Sequence, residues 1–139
     1  MKLSLLFVFC SIYISGISQE IKLIEEIAYI DDTEYIKIEK PNRKKYIISN
    51  SVTNEEILKI ELFKSYNTID KRTHKLPRIL FIRINETMEF ESDIQSDIEL
   101  VRFLYKNEIV FLDGKPNEKK VFDYLEYLKN WRKENHKKN

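Results

Sequence analysis

Apolar and polar residues alternate along much of the first half of the chain, which is the pattern of strands that bury one face. Isoleucine and tyrosine, which favour pleated sheet, fill many of the apolar positions. The predicted strands in this region are residues 20–30, 34–39 and 45–49. Asp31-Asp32 and Pro41-Asn42 are typical turn sequences, so the second and third strands are expected to pair as a hairpin.

The pattern over residues 53–66 supports two structures. Thr53 and Glu56 have the spacing of a helix capping box, which favours a helix that starts here. Ile60 and Leu62, however, alternate with charged residues as they would in a strand. We favour the helix and keep the strand open.

Three further segments continue the pattern towards the centre of the chain. Residues 67–77 are polar and predict an exposed loop, whereas residues 78–84 are apolar and β-branched and predict a strand. Residues 94–105 carry apolar side chains at helical spacing and also at alternate positions, so helix and strand both remain open there.

The C-terminal region predicts a short strand over residues 108–112 and a helix over residues 117–134, capped by Asn117. A polar tail follows Glu134. The helix has an apolar stripe on one face, formed by Val121, Tyr124, Leu125, Leu128 and Trp131.

These elements predict the α+β class, with a small antiparallel sheet of four to six strands and the C-terminal helix packed on one face. Residues 19–139 are expected to form a single domain. The predicted core comprises Ile36, Ile38, Ile47, Leu80, Ile82, Val110, Leu125 and Leu128.

The first eighteen residues have the pattern of an export signal. Lys2 gives a positive start, residues 3–14 form an apolar run, and residues 16–18 offer small side chains for cleavage after Ser18. The run is shorter than the about 20 residues that cross a bilayer. We therefore expect a periplasmic or secreted protein that has no membrane span after the signal is cleaved.

Composition excludes several kinds of chemistry. Gly114 is the only glycine after Ser18, so glycine-rich phosphate loops and nucleotide fingerprints cannot be formed. Cys10 lies within the signal, which leaves no thiolate for a metal or a disulfide. The 24 basic and 23 acidic residues nearly balance, which argues against nucleic acid as a partner. We expect neither a cofactor nor a bound transition metal.

Residues 86–99 contain six acidic side chains and no basic one, and they are the best candidates for a site. Carboxylates at short spacing could bind Ca²⁺ or perform acid–base chemistry, although a solvated acidic surface explains them as well. The histidine in the basic loop before them could act as a general base. The candidate site residues are Glu89, Glu91, Asp93, Asp97 and His74.

The sequence thus favours an exported, non-catalytic module that binds a protein or a cell-envelope component. Its aromatic residues and its basic clusters, one of them near the C-terminus, are the features that a binding surface would use. The alternative is a small carboxylate-based hydrolase, with or without the assistance of a metal, that acts on an envelope or extracellular substrate.

Overall fold

The computed structural model describes residues 19–137, which form a seven-stranded antiparallel sheet and two helices. The strands are β1 (Ile21–Ile24), β2 (Ile27–Ile30), β3 (Thr33–Asn42), β4 (Lys45–Ser49), β5 (Glu56–Asn67), β6 (Arg72–Phe81) and β7 (Glu86–Glu89). The helices are α1 (Asp97–Lys106) and α2 (Glu118–Lys137). Each strand pairs with its neighbours in sequence, so the sheet is a meander of the predicted α+β class. The expected signal, residues 1–18, lies outside the described residues.

Tight turns without glycine divide the first part of the sheet. The predicted strand over residues 20–30 is two strands, because Glu25 and Glu26 take φ values of 48° and 72° and reverse the chain. Asp31 and Asp32 form the predicted second turn, with φ values of 48° and 65°. Consecutive positive φ values match the twist of a two-residue hairpin turn, which acidic residues tolerate less easily than glycine.

The favoured helix over residues 53–66 is wrong, because most of this segment forms β5, an interior strand of the sheet between β4 and β6. Thr53 accepts a hydrogen bond from the backbone N–H of Glu55 at 3.3 Å, so it stabilises a turn rather than a helix start. The alternation of Ile60 and Leu62 was the decisive signal, since both side chains are buried. Pairing with strands on both sides outweighs the local preference for helix.

The predicted loop over residues 67–77 is also largely wrong. The hairpin formed by β5 and β6 stays in register out to Asn67 and Arg72, and only the residues between them turn. Cross-strand pairing continues through charged positions such as Lys64 opposite Lys75. A polar strand that is exposed on both faces resembles a loop in sequence, so composition alone could not identify it.

The buried face of the sheet differs from the prediction in two strands. In β4 the side chain of Ile48 is buried and Ile47 is half-buried, and in β6 Ile79 is buried while Leu80 is half-buried. Because successive side chains point to opposite faces, an error of one residue moves the whole set to the other face. Of the predicted core, Ile36, Ile38 and Val110 are buried, whereas Ile47, Leu80, Ile82, Leu125 and Leu128 are half-buried.

Helix α1 supplies much of the remaining core and resolves the ambiguity of residues 94–105 in favour of helix. Its buried side chains are Leu100, Val101, Phe103 and Leu104. Phe103 meets Phe90 edge-to-face with ring centroids 5.1 Å apart. Ser96 caps the helix by accepting a hydrogen bond from the backbone N–H of Glu99 at 3.2 Å.

The strand predicted over residues 108–112 does not form. Val110 makes only an isolated bridge to Pro116, and its carbonyl accepts a hydrogen bond of 2.5 Å from the buried hydroxyl of Tyr35. Gly114 takes a φ of +81°, and a side chain there would meet Asn50 at 2.9 Å. The apolar run of this segment therefore anchors a compact connection between the helices.

Helix α2 begins at Glu118, as expected, and continues to Lys137, three residues beyond the predicted end. It contacts the sheet at β7. Within α2 only Val121 is buried, and Trp131 is 53% exposed. Tyr124, Leu125 and Leu128 are half-buried. The chain thus places the first turns of α2 beside the sheet and leaves later ones open to solvent.

Candidate functional site

The most distinctive surface in the described residues is one side of α2. Its apolar floor and basic rim, called here the α2 face, consist of Leu125, Leu128, Lys129, Arg132, Lys133, His136 and Lys137. Every residue of this shallow depression belongs to the helix itself. No other described part of the chain therefore lines it.

Aromatic side chains lie beside the α2 face. Phe122, Tyr127 and Trp131 are 54%, 63% and 53% exposed. Tyr127 and Trp131 are four residues apart and thus neighbours on one side of the helix, with Leu128 between them and the basic rim. The helix therefore presents an aromatic stripe and a basic stripe side by side.

The start of α2 is fixed by polar contacts, which explains how the helix forms with so little buried surface. The ammonium of Lys120 donates to the carbonyl of Asn107. The carboxylate of Glu118 lies 3.5 Å from the guanidinium of Arg83. A solvated pair of side chains four residues apart, Lys119 and Asp123, adds local support at 3.0 Å. These contacts and the buried Val121 hold the first turns, and Leu125 packs partly against the core. Tyr127 and Trp131 remain exposed.

His74, one of the predicted candidates, lies between two carboxylates. Its Nε2 is 2.6 Å from Oδ2 of Asp70, and its Nδ1 is 3.4 Å from Oδ2 of Asp93. The structure thus brings together two of the predicted residues, His74 and Asp93, and adds Asp70. No pattern in the sequence points to Asp70, because this residue belongs to the turn of a hairpin that the sequence predicts to be a loop.

The pKa of Asp70 is held below its ordinary value of 3.8. Burial raises this pKa, but the backbone N–H of Arg72 and the imidazole of His74 donate to the carboxylate, and together they lower the pKa by more than burial raises it. Asp93 also accepts hydrogen bonds from the backbone N–H of Lys75 at 2.8 Å and from the amide of Gln95 at 2.6 Å. The bond from Lys75 fastens the segment after β7 to the first half of β6, and the bond from Gln95 stabilises that segment internally.

The other predicted site residues do not converge with His74 and Asp93. Glu89 pairs with Arg78 at 2.8 Å across neighbouring strands. Asp97, in the first turn of α1, accepts from the hydroxyl of Tyr46 at 2.8 Å and from the ammonium of Lys40 at 3.2 Å. Glu91 is exposed.

The pKa values of Tyr46 and Lys40 are both raised by their surroundings. Burial is the main cause that raises the pKa of Tyr46, and its hydrogen bond to Asp97 raises it further. Partial burial lowers the pKa of Lys40, but its bonds to Asp97 and Tyr46 outweigh this and raise the pKa above 10.5. The arrangement stabilises the neutral phenol and the charged ammonium, so it ties α1 to the sheet.

Within residues 19–137, no group of three or more histidine, aspartate or glutamate side chains is arranged so that it could hold a metal ion. In the same range no helix is both long and apolar enough to cross a membrane. The chain matches no family model, no curated protein and no solved structure.

Proposed function

We propose that this chain is an exported, non-catalytic module that binds a protein or a cell-envelope component, and that α2 provides the binding surface. The observation that carries this proposal is the exposure of aromatic side chains on α2, with Tyr127 63% and Trp131 53% exposed. Export rests on the pattern of residues 1–18.

Exposed aromatic side chains beside charged residues are typical of recognition surfaces. Large aromatic residues give a large contact area and lose little conformational entropy on binding. Tyrosine and tryptophan are enriched among the few interface residues that carry most of the binding energy. Tyr127 and Trp131 do not belong to the buried core, which lies in the sheet, in α1 and the segments beside it, and at Val121. Their exposure is therefore better explained by a partner than by folding. Packing of the first turns of α2 on the sheet, the other part of the proposal, would present this surface at a fixed place.

The test replaces two exposed aromatic residues and follows where the protein goes in its host. We expect the double variant Tyr127→Ser, Trp131→Ser to leave the envelope fraction for the soluble fraction, while the free energy of unfolding changes little. The matched control is Val52→Ser with Ile69→Ser. It removes apolar side chains that are 82% and 92% exposed in turns between strands of the sheet. Retention of the aromatic double variant in the envelope at the wild-type level would refute the proposal.

The second candidate, a small carboxylate-based hydrolase, is supported by the contact between His74 and Asp93. Its weakness is that Asp70 already occupies the other nitrogen of the imidazole at 2.6 Å, so a substrate proton could be taken only after one of these contacts breaks. If this candidate is right, Asp93→Asn abolishes turnover of an envelope polysaccharide or peptide while the fold is retained, whereas Glu91→Gln, an exposed control, leaves turnover unchanged.

A further inference from the structure

We infer that the second half of the α2 face binds the surface of a bilayer rich in anionic lipid. This inference rests on the proposed function, because it names the envelope component that the helix would recognise. The choice of an anionic bilayer as the binding partner follows from the charges, the aromatic residues and the amphipathic geometry of the helix.

Charge is distributed unevenly along α2. The acidic residues Asp123 and Glu126 lie in its first half, whereas Glu134 is the only acid among residues 129–137. The second half carries the basic side chains Lys129, Arg132, Lys133 and Lys137, which line the α2 face together with His136. A cluster of this kind attracts a negatively charged surface, and the chain as a whole carries a formal charge of only +1. The attraction is therefore local to this half of the helix.

The neighbouring apolar residues suit a lipid interface. Tryptophan and tyrosine prefer the headgroup level of a bilayer, where the ring is shielded and the polar atom remains hydrated. Leu128 lies between the exposed aromatic side chains and the basic rim, and long basic side chains can extend past such an apolar residue to reach phosphates. Because the helix is amphipathic and has low overall hydrophobicity, it suits a position on the surface rather than across the membrane.

The same charges disfavour a second copy of this chain as the occupant. Two α2 faces brought together would place Lys129, Arg132 and Lys133 of one copy close to the like charges of the other. Like charges at a shared interface oppose association. An acidic protein would satisfy the charges equally well, but the exposed aromatic side chains beside Leu128 are the feature that lipid explains better. A protein partner is therefore an outcome that the experiment must distinguish.

Trp131 is the only tryptophan of the chain, so its fluorescence reports on this surface alone. The full chain is titrated with vesicles of equal parts phosphatidylglycerol and phosphatidylcholine, and separately with vesicles of phosphatidylcholine alone. We expect a blue shift of the emission with the anionic vesicles only. Raising the ionic strength to about 0.5 M, where the screening length is roughly 4 Å, should reverse it.

Charge reversal then tests which residues are responsible. The variant Arg132→Glu, Lys133→Glu should lose at least about 30-fold in affinity for the anionic vesicles, because each basic residue near such a surface contributes about five-fold. The matched control, Lys44→Glu with Lys64→Glu, reverses two exposed charges on the sheet and should bind as the wild type does. Residues 1–18 are identical in all variants and contain no tryptophan, so they do not contribute to the difference in emission.

Two results would overturn the inference. One is an absence of any emission shift with anionic vesicles, and the other is an equal shift with neutral vesicles or with the charge-reversed variant. If the vesicles do not shift the emission of Trp131 but a protease-sensitive component of the host envelope does, the partner is a protein. The lipid inference is then wrong and the proposed function stands. If neither lipid nor envelope material shifts it, both fail.

Discussion

The two helices of this protein are both amphipathic, yet the fold uses them differently. Helix α1 buries Leu100, Val101, Phe103 and Leu104, whereas α2, twice as long with 20 residues against 10, buries only Val121. Helix α1 contacts β1, the first strand of the meander, while α2 contacts β7, the last. An apolar stripe therefore indicates that a helix needs a partner, but not whether that partner belongs to the same chain.

The two helices differ in the residues that flank their apolar stripes. The apolar side of α1 is continuous with buried residues before and after it, such as Ile94 and Ile109, so the chain is held against the core at both ends. Helix α2 is held at its start, and its stripe then runs beside basic and aromatic side chains that remain exposed. In this protein the helix with buried neighbours at both ends belongs to the core, and the helix that is buried only at its start leaves a surface open.

The largest effect is expected for Leu104→Ala in α1. The side chain of Leu104 is fully buried, so truncation should lower the free energy of unfolding by about 2–5 kcal/mol through lost burial and the cavity that remains. Urea denaturation of the variant and the wild type measures the difference. A cost below about 1 kcal/mol would show that α1 does not belong to the core and would remove the contrast between the helices.

Val121→Ala tests the only buried position of α2. We expect a loss of about 1.5–3 kcal/mol, because roughly two methylene equivalents leave a fully buried site and a small cavity remains. The exposed neighbour Phe122, truncated to alanine, is the control and should change stability by no more than about 0.5 kcal/mol. Equal effects at the two positions would mean that the first turns of α2 are not anchored as described.

Tyr35→Phe tests the connection between the helices. The hydroxyl of Tyr35 donates to the carbonyl of Val110, and removing it leaves a buried acceptor without its partner, at a cost of about 1–3 kcal/mol. Chemical denaturation at neutral pH measures this loss. A variant as stable as the wild type would show that the bond does not secure the segment between α1 and α2.

The same variant has a pH signature. Burial raises the pKa of Tyr35 well above its unfolded value of 10.0. The folded state then holds its proton at a pH where the unfolded state loses it, so the contribution of Tyr35 is fully present below about pH 10 and is lost as the pH rises through the folded pKa. We expect the stability of the wild type to fall more steeply than that of Tyr35→Phe above about pH 10. Parallel curves would contradict this assignment.

The sequence predicted features that depend on local pattern and missed those that depend on pairing. The turn at Asp31-Asp32 and the start of α2 follow from local chemistry and were found. β5 was missed because its stability comes from the strands on either side. The buried faces of β4 and β6 were assigned wrongly because alternation within one strand does not show which face the neighbouring strands direct towards the core.

The candidate site shows the same limit. His74 and Asp93 meet through the packing of the segment after β7 against β6, and nothing in the spacing of 19 residues indicates this contact. The aromatic residues of α2 were visible in the sequence, but Tyr127 lies outside the predicted stripe. Trp131 belongs to the predicted stripe, but an amphipathic pattern does not reveal which part of a stripe remains uncovered.

The smallest effect is expected for Leu128→Ala, and it bears most directly on function. Leu128 is half-buried and lines the α2 face, so truncation should cost well under about 1 kcal/mol, since alanine is also the best helix former. If α2 packs on the sheet along its whole length, the cost rises to about 2–5 kcal/mol. Urea denaturation separates these ranges, with Leu104→Ala as the reference for a buried leucine. A large loss at Leu128 would assign the stripe to the core and remove the surface on which the binding proposal rests. A small loss together with weaker vesicle binding would place the function of the chain on the uncovered half of this helix.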